Sequence, residues 1–327
     1  MTTIRWVLCA TDFSPAARAA WEEAQLLGDI FRVEVLLLHV LAPPILPGAT
    51  DVSPVLWEDV TGTAYRAACQ ELDRLVVNRS RRYVKVAPRI ELGPAATRIL
   101  QVADEQAGGV LVLGVHPRGP LSRALLGSVA DRVVREARCP VLAVPARTGE
   151  ARGRAARIDR ICYATDFLPS ADAAWPWAAA VAGAAGAHMD LLHVVVPPAL
   201  ELPMSADGLG KMAQRLHAEA TARATQFLGE HPFSGKEPQV LIGWGDPGEE
   251  ILRQARIRAA DLVVMGTHGR SPLASWILGS VAQHVVQASP RPLLIVGPGQ
   301  HRPVPRPPEA VIAQRAAERE SCELPSR

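Results

Sequence analysis

The chain has 327 residues, of which 48% are hydrophobic and 21% charged, with a formal net charge of +2. Such a composition supplies apolar material for two globular cores, and so balanced a charge gives no electrostatic reason to expect a nucleic-acid or membrane surface. The five cysteines, Cys9, Cys69, Cys139, Cys162 and Cys322, form no CxxC or His/Cys cluster, which argues against a disulfide framework or zinc site and for a reducing compartment.

Residues 1–10, MTTIRWVLCA, lack the charged start and long apolar core of a secretion signal, and no apolar run reaches the roughly 18–20 residues that span a bilayer. A cytoplasmic protein is expected. Short runs rich in Val, Leu and Ile at Ile4–Ala10, Val33–His39, Gly109–Leu113 and Val141–Val144 predict strands buried on both faces, and Tyr83–Val86 is a weaker candidate. Helical spacing falls between them. Ser14 can cap a helix with Pro15 at its first position, and Thr61–Val77 and Leu121–Ala137 carry further helical patterns. The second half repeats the scheme with strands at Ile158–Ala164, His188–His193, Gln239–Ile242, Leu262–Met265 and Pro292–Val296. Alternating β and α elements predict an α/β, doubly wound fold with a parallel sheet and helices on both faces.

The repeat is explicit. VLCATDFSP at 7–15 returns as ICYATDFLP at 161–169, LLLHV at 36–40 as DLLHV at 190–194, and LGSVADRVV at 126–134 as LGSVAQHVV at 278–286. Asp12 and Asp166 lie 154 residues apart, as do His39 and His193; Gly114 and Gly266, and Gly127 and Gly279, lie 152 apart. A near-constant offset means duplication. The chain divides into a first domain over 1–146, a small and basic linker over 147–157, a second domain over 158–297, and a Pro-rich tail over 298–327 expected to be mobile or used for contacts.

In a doubly wound sheet the ligand crevice lies beyond the carboxyl ends of the strands, where strand order reverses. The loops after the first and fourth strands border it. In the second copy the latter reads GTHGRSPLASWILGS, residues 266–280. Gly269 can adopt positive φ and let the backbone approach a ligand, while backbone N–H groups near Gly279 and the Ser280 hydroxyl can cradle phosphate. No GxxxxGK[ST] occurs, so this is not a P-loop. Plain strand-to-helix turns are the competing explanation of these glycines.

ATDFS, LLLHV and LGSVA in the first copy, with ATDF, LLHVV and the whole glycine loop in the second, make the chain resemble the universal stress proteins in their tandem form, over roughly 3–145 and 158–297. The resemblance implies a five-stranded sheet per copy in the order 3-2-1-4-5, pairing of the two domains as a pseudo-dimer within the chain, homodimers of chains, and ATP binding by members with the full glycine pattern. Carried over by position, Thr165 and Asp166 would lie by ribose and adenine, and Val194 would meet adenine through its backbone. Gly266, Gly269, Gly279, Ser280 and Val281 would hold ribose and phosphates. The first copy keeps Thr11, Asp12, Val40, Gly114, Gly127 and Ser128 but carries Pro117 where the second has Gly269. Proline removes a donor and fixes φ near about −65°, so the weaker site is expected there.

His39 and His193 end buried strands and are read as structural, each bonding a backbone carbonyl. His116 and His268 are read as solvated loop residues. Arg118 and Arg270 either screen phosphate or sit as surface arginines, and Trp21, Trp175 and Trp177 are read as packing residues. The expected function is ATP-binding regulation in a stress response, with magnesium or manganese as counter-ion and a signalling partner that the sequence does not name. The alternatives are a signalling or scaffold module that binds no nucleotide, and a slow ATPase; no nucleophile–base pair or acidic cluster favours catalysis. Gly269→Pro, which writes the first copy's residue into the second, is expected to abolish ATP binding in calorimetry, and the unaltered chain is expected to take up nearer one ATP than two.

Overall fold

A computed structural model describes residues 2–42, 54–81, 83–105, 107–115, 127–146, 156–198, 205–267, 278–297 and 304–305. After a two-residue strand β1 (Thr2–Thr3), the first domain runs β2 (Val7–Thr11), α1 (Pro15–Phe31), β3 (Val35–Leu41), α2 (Pro54–Val77), β4 (Val86–Leu92), α3 (Ala95–Asp104), β5 (Val110–Val115), α4 (Ser128–Glu136) and β6 (Val141–Pro145). The second runs β7 (Arg160–Ala164), a one-turn α5 (Pro169–Asp172), α6 (Trp175–Ala185), β8 (His188–Val195), α7 (Ala206–Glu230), β9 (Gln239–Trp244), α8 (Pro247–Ile257), β10 (Leu262–Gly266), α9 (Ser280–Ala288) and β11 (Leu293–Val296), and a short β12 (Val304–Pro305) follows.

Each domain's sheet is parallel in the order 3-2-1-4-5, as the resemblance implied, and the two fuse into one ten-stranded sheet, β4-β3-β2-β5-β6-β11-β10-β7-β8-β9. The seam is an antiparallel pairing of the two fifth strands, Leu293 with Ala143, Leu294 with Leu142 and Ile295 with Val141. Its register keeps each face continuous. Leu142 and Leu294 point into the layer that holds Trp21, Trp175 and Trp177; Val141, Ala143, Leu293 and Ile295 point into the opposite layer with Val133 and Val285. A shift of one residue would exchange the faces of one whole domain. The three tryptophans are buried packing residues, as read from their place on the first helices.

Several expectations need correction. The third strand of the first domain occupies Val86–Leu92 instead of Tyr83–Val86. Pro88, Arg89 and Glu91 break its apolar pattern. An edge strand tolerates them, because proline there forfeits no central ladder bond and charges blunt the free edge. Arg89 ties this edge to Glu91 and, at 2.7 Å, to Glu105. Helix α2 starts at Pro54, earlier than Thr61, and α4 starts at Ser128, with 121–126 outside the described residues. The helix α3, which fills the remaining helical slot of the expected order, begins after Pro94 without a side-chain cap. Linker residues 147–155 lie outside the described residues, but Ala156 is buried and its carbonyl accepts from Arg81 at 2.9 Å. In the tail, Val304–Pro305 pairs antiparallel with Thr2–Thr3, which agrees with the contact-making alternative for this piece, and the rest of 298–327 lies outside the described residues. Among the described residues no helix is long and apolar enough to cross a membrane.

A pair of neighbouring positions distinguishes the two domains. Trp6 and Leu36 of the first domain are replaced by Arg160 and Asp190 in the second. Asp190 is buried to 1% exposure and held by Arg160 at 3.0 Å and Arg258 at 3.2 Å. Removing one partner of a buried pair costs about 3–5 kcal/mol, whereas replacing the whole pair by well-packed apolar residues of similar volume is often near neutral. Asp190→Ala is therefore expected to lower stability by ~3 kcal/mol or more in urea unfolding, and the double change Arg160→Trp with Asp190→Leu, the first domain's solution, by clearly less.

Candidate functional site

The cleft of the second domain forms where its chain runs off three strands. Beyond β7, Thr165 stays tied to the sheet through its N–H to Leu192 O at 2.9 Å. The Thr165 Oγ1 then accepts the Phe167 N–H at 2.9 Å, and the Asp166 Oδ1 accepts the Leu168 N–H at 3.1 Å. Short polar side chains that bond the backbone two residues on turn the chain sharply. The turn sets Phe167 at φ +58°. An aromatic residue seldom adopts that region, and such strain persists only where its surroundings enforce it. The enforcement comes from the Phe167 ring, stacked on His193 at 4.6 Å between centroids and packed on Phe227 at 5.8 Å.

The first domain builds the same turn from the same residue types. Thr11 Oγ1 accepts from Phe13 N–H and Asp12 Oδ1 from Ser14 N–H, both at 3.0 Å; Phe13 has φ +62° and its ring lies 4.5 Å from that of His39. Ser14 caps α1 by accepting the Ala17 N–H, with Pro15 at the first helical position.

The two histidines close these turns. His39 Nδ1 lies 2.8 Å from Thr11 O, and His193 Nδ1 lies 2.9 Å from Thr165 O. A carbonyl only accepts, so each Nδ1 carries the hydrogen and donates. Both histidines thus hold strand ends together, as expected of them.

At β10, Gly266 ends the strand and Thr267 donates its N–H to Val296 O at 3.0 Å. Gly279 donates back to Thr267 O at 2.8 Å, so the loop begins and returns at one point. Gly279 is the cap residue of α9 and offers no side chain to it; the first intrahelical bond is Gln283 N–H to Gly279 O. The N–H groups of Ser280, Val281 and Ala282 therefore have no helical acceptor, and the positive end of the helix dipole is exposed toward the cleft.

These parts converge. Thr165, Asp166, Val194, Gly266, Gly279, Ser280 and Val281 all line one cleft of about 980 Å³ at the carboxyl ends of β7, β8 and β10, where strand order reverses. Gly269, Arg270 and His268 lie outside the described residues, as do His116, Pro117 and Arg118, so the comparison of the two glycine loops rests on sequence. In the first domain, Thr11, Asp12 and Val40 stand on the corresponding strand ends, and Gly127 and Ser128 on the start of α4, again without a side-chain cap. Gly114 has a packing reason to be glycine, since a Cβ would stand 2.5 Å from the backbone of Ala16 and Ala17. At Gly127 a Cβ would meet nothing within 4 Å among the described residues. Packing among the described residues demands the first glycine and not the second.

Sequence reasoning missed the wall of the cleft that is not motif. Leu216, Glu219 and Arg223 come from α7, and Pro247 and Ile251 from α8. Which face of a helix looks into a cleft depends on its packing. The available signal was the difference between the copies at matching helix positions. Among the described residues no group of three or more His, Cys, Asp and Glu is placed to hold a metal ion.

Burial lowers the pKa of His193; the Thr165 carbonyl and Asp166 oppose the shift, and Arg223 adds to it. The unfolded chain then binds this proton more readily than the fold does. Stability owed to neutral His193 is full above the unfolded value of about 6.5 and falls as pH drops toward the depressed folded value. In urea unfolding the wild type is expected to lose more stability between pH 7.5 and 5.5 than His193→Asn, whose side-chain amide can donate to the same carbonyl without titrating.

A sequence model of the universal stress protein family matches residues 3–145 and again 157–297. A universal stress protein of Mycolicibacterium smegmatis is 23% identical over 296 residues, covering 89% of this chain and 97% of the relative. One from Thermus aquaticus is 36% identical over 138 residues, covering 42% of this chain and 96% of its own. The crystal structure of a universal stress protein from Archaeoglobus fulgidus superposes with a TM-score of 0.64 at 20% identity, covering 89% of this chain and 98% of that one, which shows a shared fold. With one family domain in each half, the chain belongs to the universal stress protein family.

Proposed function

We propose that the second-domain cleft binds an adenine nucleotide, ATP foremost, and that the chain serves as a regulatory binding protein in a stress response and not as an enzyme. One observation carries this reading: the uncapped start of α9 meets Asp166 and the Val194 backbone in a single cleft of nucleotide-compatible size. N–H groups at a helix start that lack helical acceptors suit an anion. A carboxylate on the neighbouring strand end suits a sugar hydroxyl, and exposed strand backbone suits a base edge. The first domain, with Pro117 in its loop, is the weaker site. Magnesium or manganese would enter with the phosphates, because the lining offers single carboxylates instead of a cage. Cytoplasmic location, homodimers of chains and a signalling partner that reads occupancy belong to the same reading.

The side-chain chemistry favours binding over turnover. Burial raises the thiol pKa of Cys139 and Cys162 to about 12 and that of Cys9 further, so none is a ready nucleophile. His193 has its Nδ1 committed to Thr165. A scaffold without ligand is the second reading, and it draws on the turn geometry: Thr165 Oγ1 and one Asp166 oxygen already serve the backbone.

Ser280→Pro separates the two. Ser280 is the first residue of α9, where proline fits a helix, and Gly279 at φ −59°, ψ 153° has the extended backbone that proline prefers before it. The variant keeps the fold and deletes one N–H and one hydroxyl. Calorimetry with Mg-ATP is expected to give dissociation constants in the micromolar range for the wild type, ~8 kcal/mol of binding, and about tenfold weaker binding for Ser280→Pro, with thermal stability nearly unchanged. A wild type that takes up no adenine nucleotide would leave the scaffold reading standing.

A further inference from the structure

The long helices α2 and α7 can be aligned by what they bury. Leu72, Leu75 and Val76 on α2 face the same core layer as Ala224, Phe227 and Leu228 on α7, each pair 152 residues apart. The offset continues into the next turn, where Gly93 and Gly245, also 152 apart, both have positive φ, +135° and +106°. On this register Arg223 of the second domain stands where the first has Glu71.

We infer that Arg223 is the cation that recognises the phosphate chain of a nucleoside polyphosphate in the second-domain cleft, and that Glu71 at the matching position disfavours such a ligand in the first. The inference rests on the adenine-nucleotide reading of the cleft and assigns to it a residue outside the glycine loop.

Arg223 lines the same cleft as the start of α9. It is exposed, and among the described residues it makes no hydrogen bond or ion pair. It also helps push the pKa of His193 down, which places its charge within electrostatic reach of the strand end. The nearest carboxylate on its own helix face, Glu219, is engaged by Arg215 at 2.8 Å. Asp166 is the other carboxylate of the lining. A guanidinium in the same cleft as helix N–H groups offers a phosphate chain a second set of donors, and bidentate donors suit phosphate oxygens.

The first domain differs in the opposite sense at two positions. Glu71 brings a carboxylate, ion-paired with Arg74 on the same helix. Asp131 stands in the first turn of α4, paired with Arg135 at 3.0 Å, where α9 has Gln283 and no acidic residue in its first turn. A carboxylate at a helix start already answers the dipole that would otherwise attract a phosphate. The difference between the copies therefore includes charge as well as the Pro117 and Gly269 pair.

The test is calorimetric titration of the full chain with ATP, AMP and adenosine at two salt concentrations, for wild type, Arg223→Gln, Arg223→Glu and Glu71→Arg. Arg223→Gln is expected to weaken ATP about tenfold, the scale of one charge-assisted hydrogen bond partly open to water, to weaken AMP less and to leave adenosine within about twofold. Arg223→Glu is expected to weaken ATP further, and the salt dependence of ATP binding should fall in both variants. Glu71→Arg is expected to raise stoichiometry above the wild-type value. ATP affinity unchanged in Arg223→Gln, or lost in equal measure with adenosine, overturns the inference while the nucleotide reading survives. A wild type that binds none of the three ligands overturns the nucleotide reading itself.

Discussion

The antiparallel pairing of Val141–Ala143 with Leu293–Ile295 is the constraint on which the rest of the molecule depends. Two parallel sheets, each ending in an open fifth strand, become one sheet whose free edges are β4 and β9. The seam strands are short and buried, and they carry apolar side chains on both faces. A fifth strand left unpaired would expose a row of apolar residues and unbonded backbone, the arrangement most prone to wrong association. Within one chain the partner is always at hand, so closure costs only the ordering of the linker.

The same pairing decides how the two clefts relate. All strands within a domain are parallel, and the seam is antiparallel. The carboxyl ends of the first domain's strands therefore lie along one rim of the ten-stranded sheet, and those of the second along the other. A ligand in one cleft does not face the other. Communication between them has to pass through the packed layers that run across the seam, where Trp21, Trp175 and Trp177 share one cluster with Leu142 and Leu294.

The sequence was informative where local chemistry dictates structure. Buried parallel strands announce themselves as short apolar runs, and the duplication supplied a second copy of each to check. The ATDF turn was legible because Thr and Asp side chains bond the backbone just ahead of them, and the histidines because a buried strand end leaves a carbonyl to satisfy. Reading failed where context overrides composition. Val86–Leu92 contains proline and two charges and forms a strand only because its outer edge needs no partner. Ala95–Asp104 has Pro94 before it and no capping side chain, so its start gives little signal. On the cleft, strand-end and glycine residues were found from their motifs. Arg223 was not, because a helix position becomes part of a site only through the packing that aims its face. The offset also hid it: 154 residues separate the strand motifs and 152 the later ones, so the two-residue difference falls between the second strand and the helix that carries Arg223.

How the copies diverged follows from where their differences lie. The charges that differ at matched helix positions, Glu71 against Arg223 and Asp131 against Gln283, are not among the buried residues of either layer, whereas the strand-end turns are the same in residue type and in strain. Surface charge can change sign at little cost in stability. The strained phenylalanine turn cannot change so freely, because His39 or His193 and the strand end are fitted to it. Selection on ligand binding can therefore act on one rim while the shared core holds the other in place. In a pair of separate identical chains any such change would appear on both rims at once. Fusing the copies removes that constraint, so the charge on one rim can change while the other stays as it is.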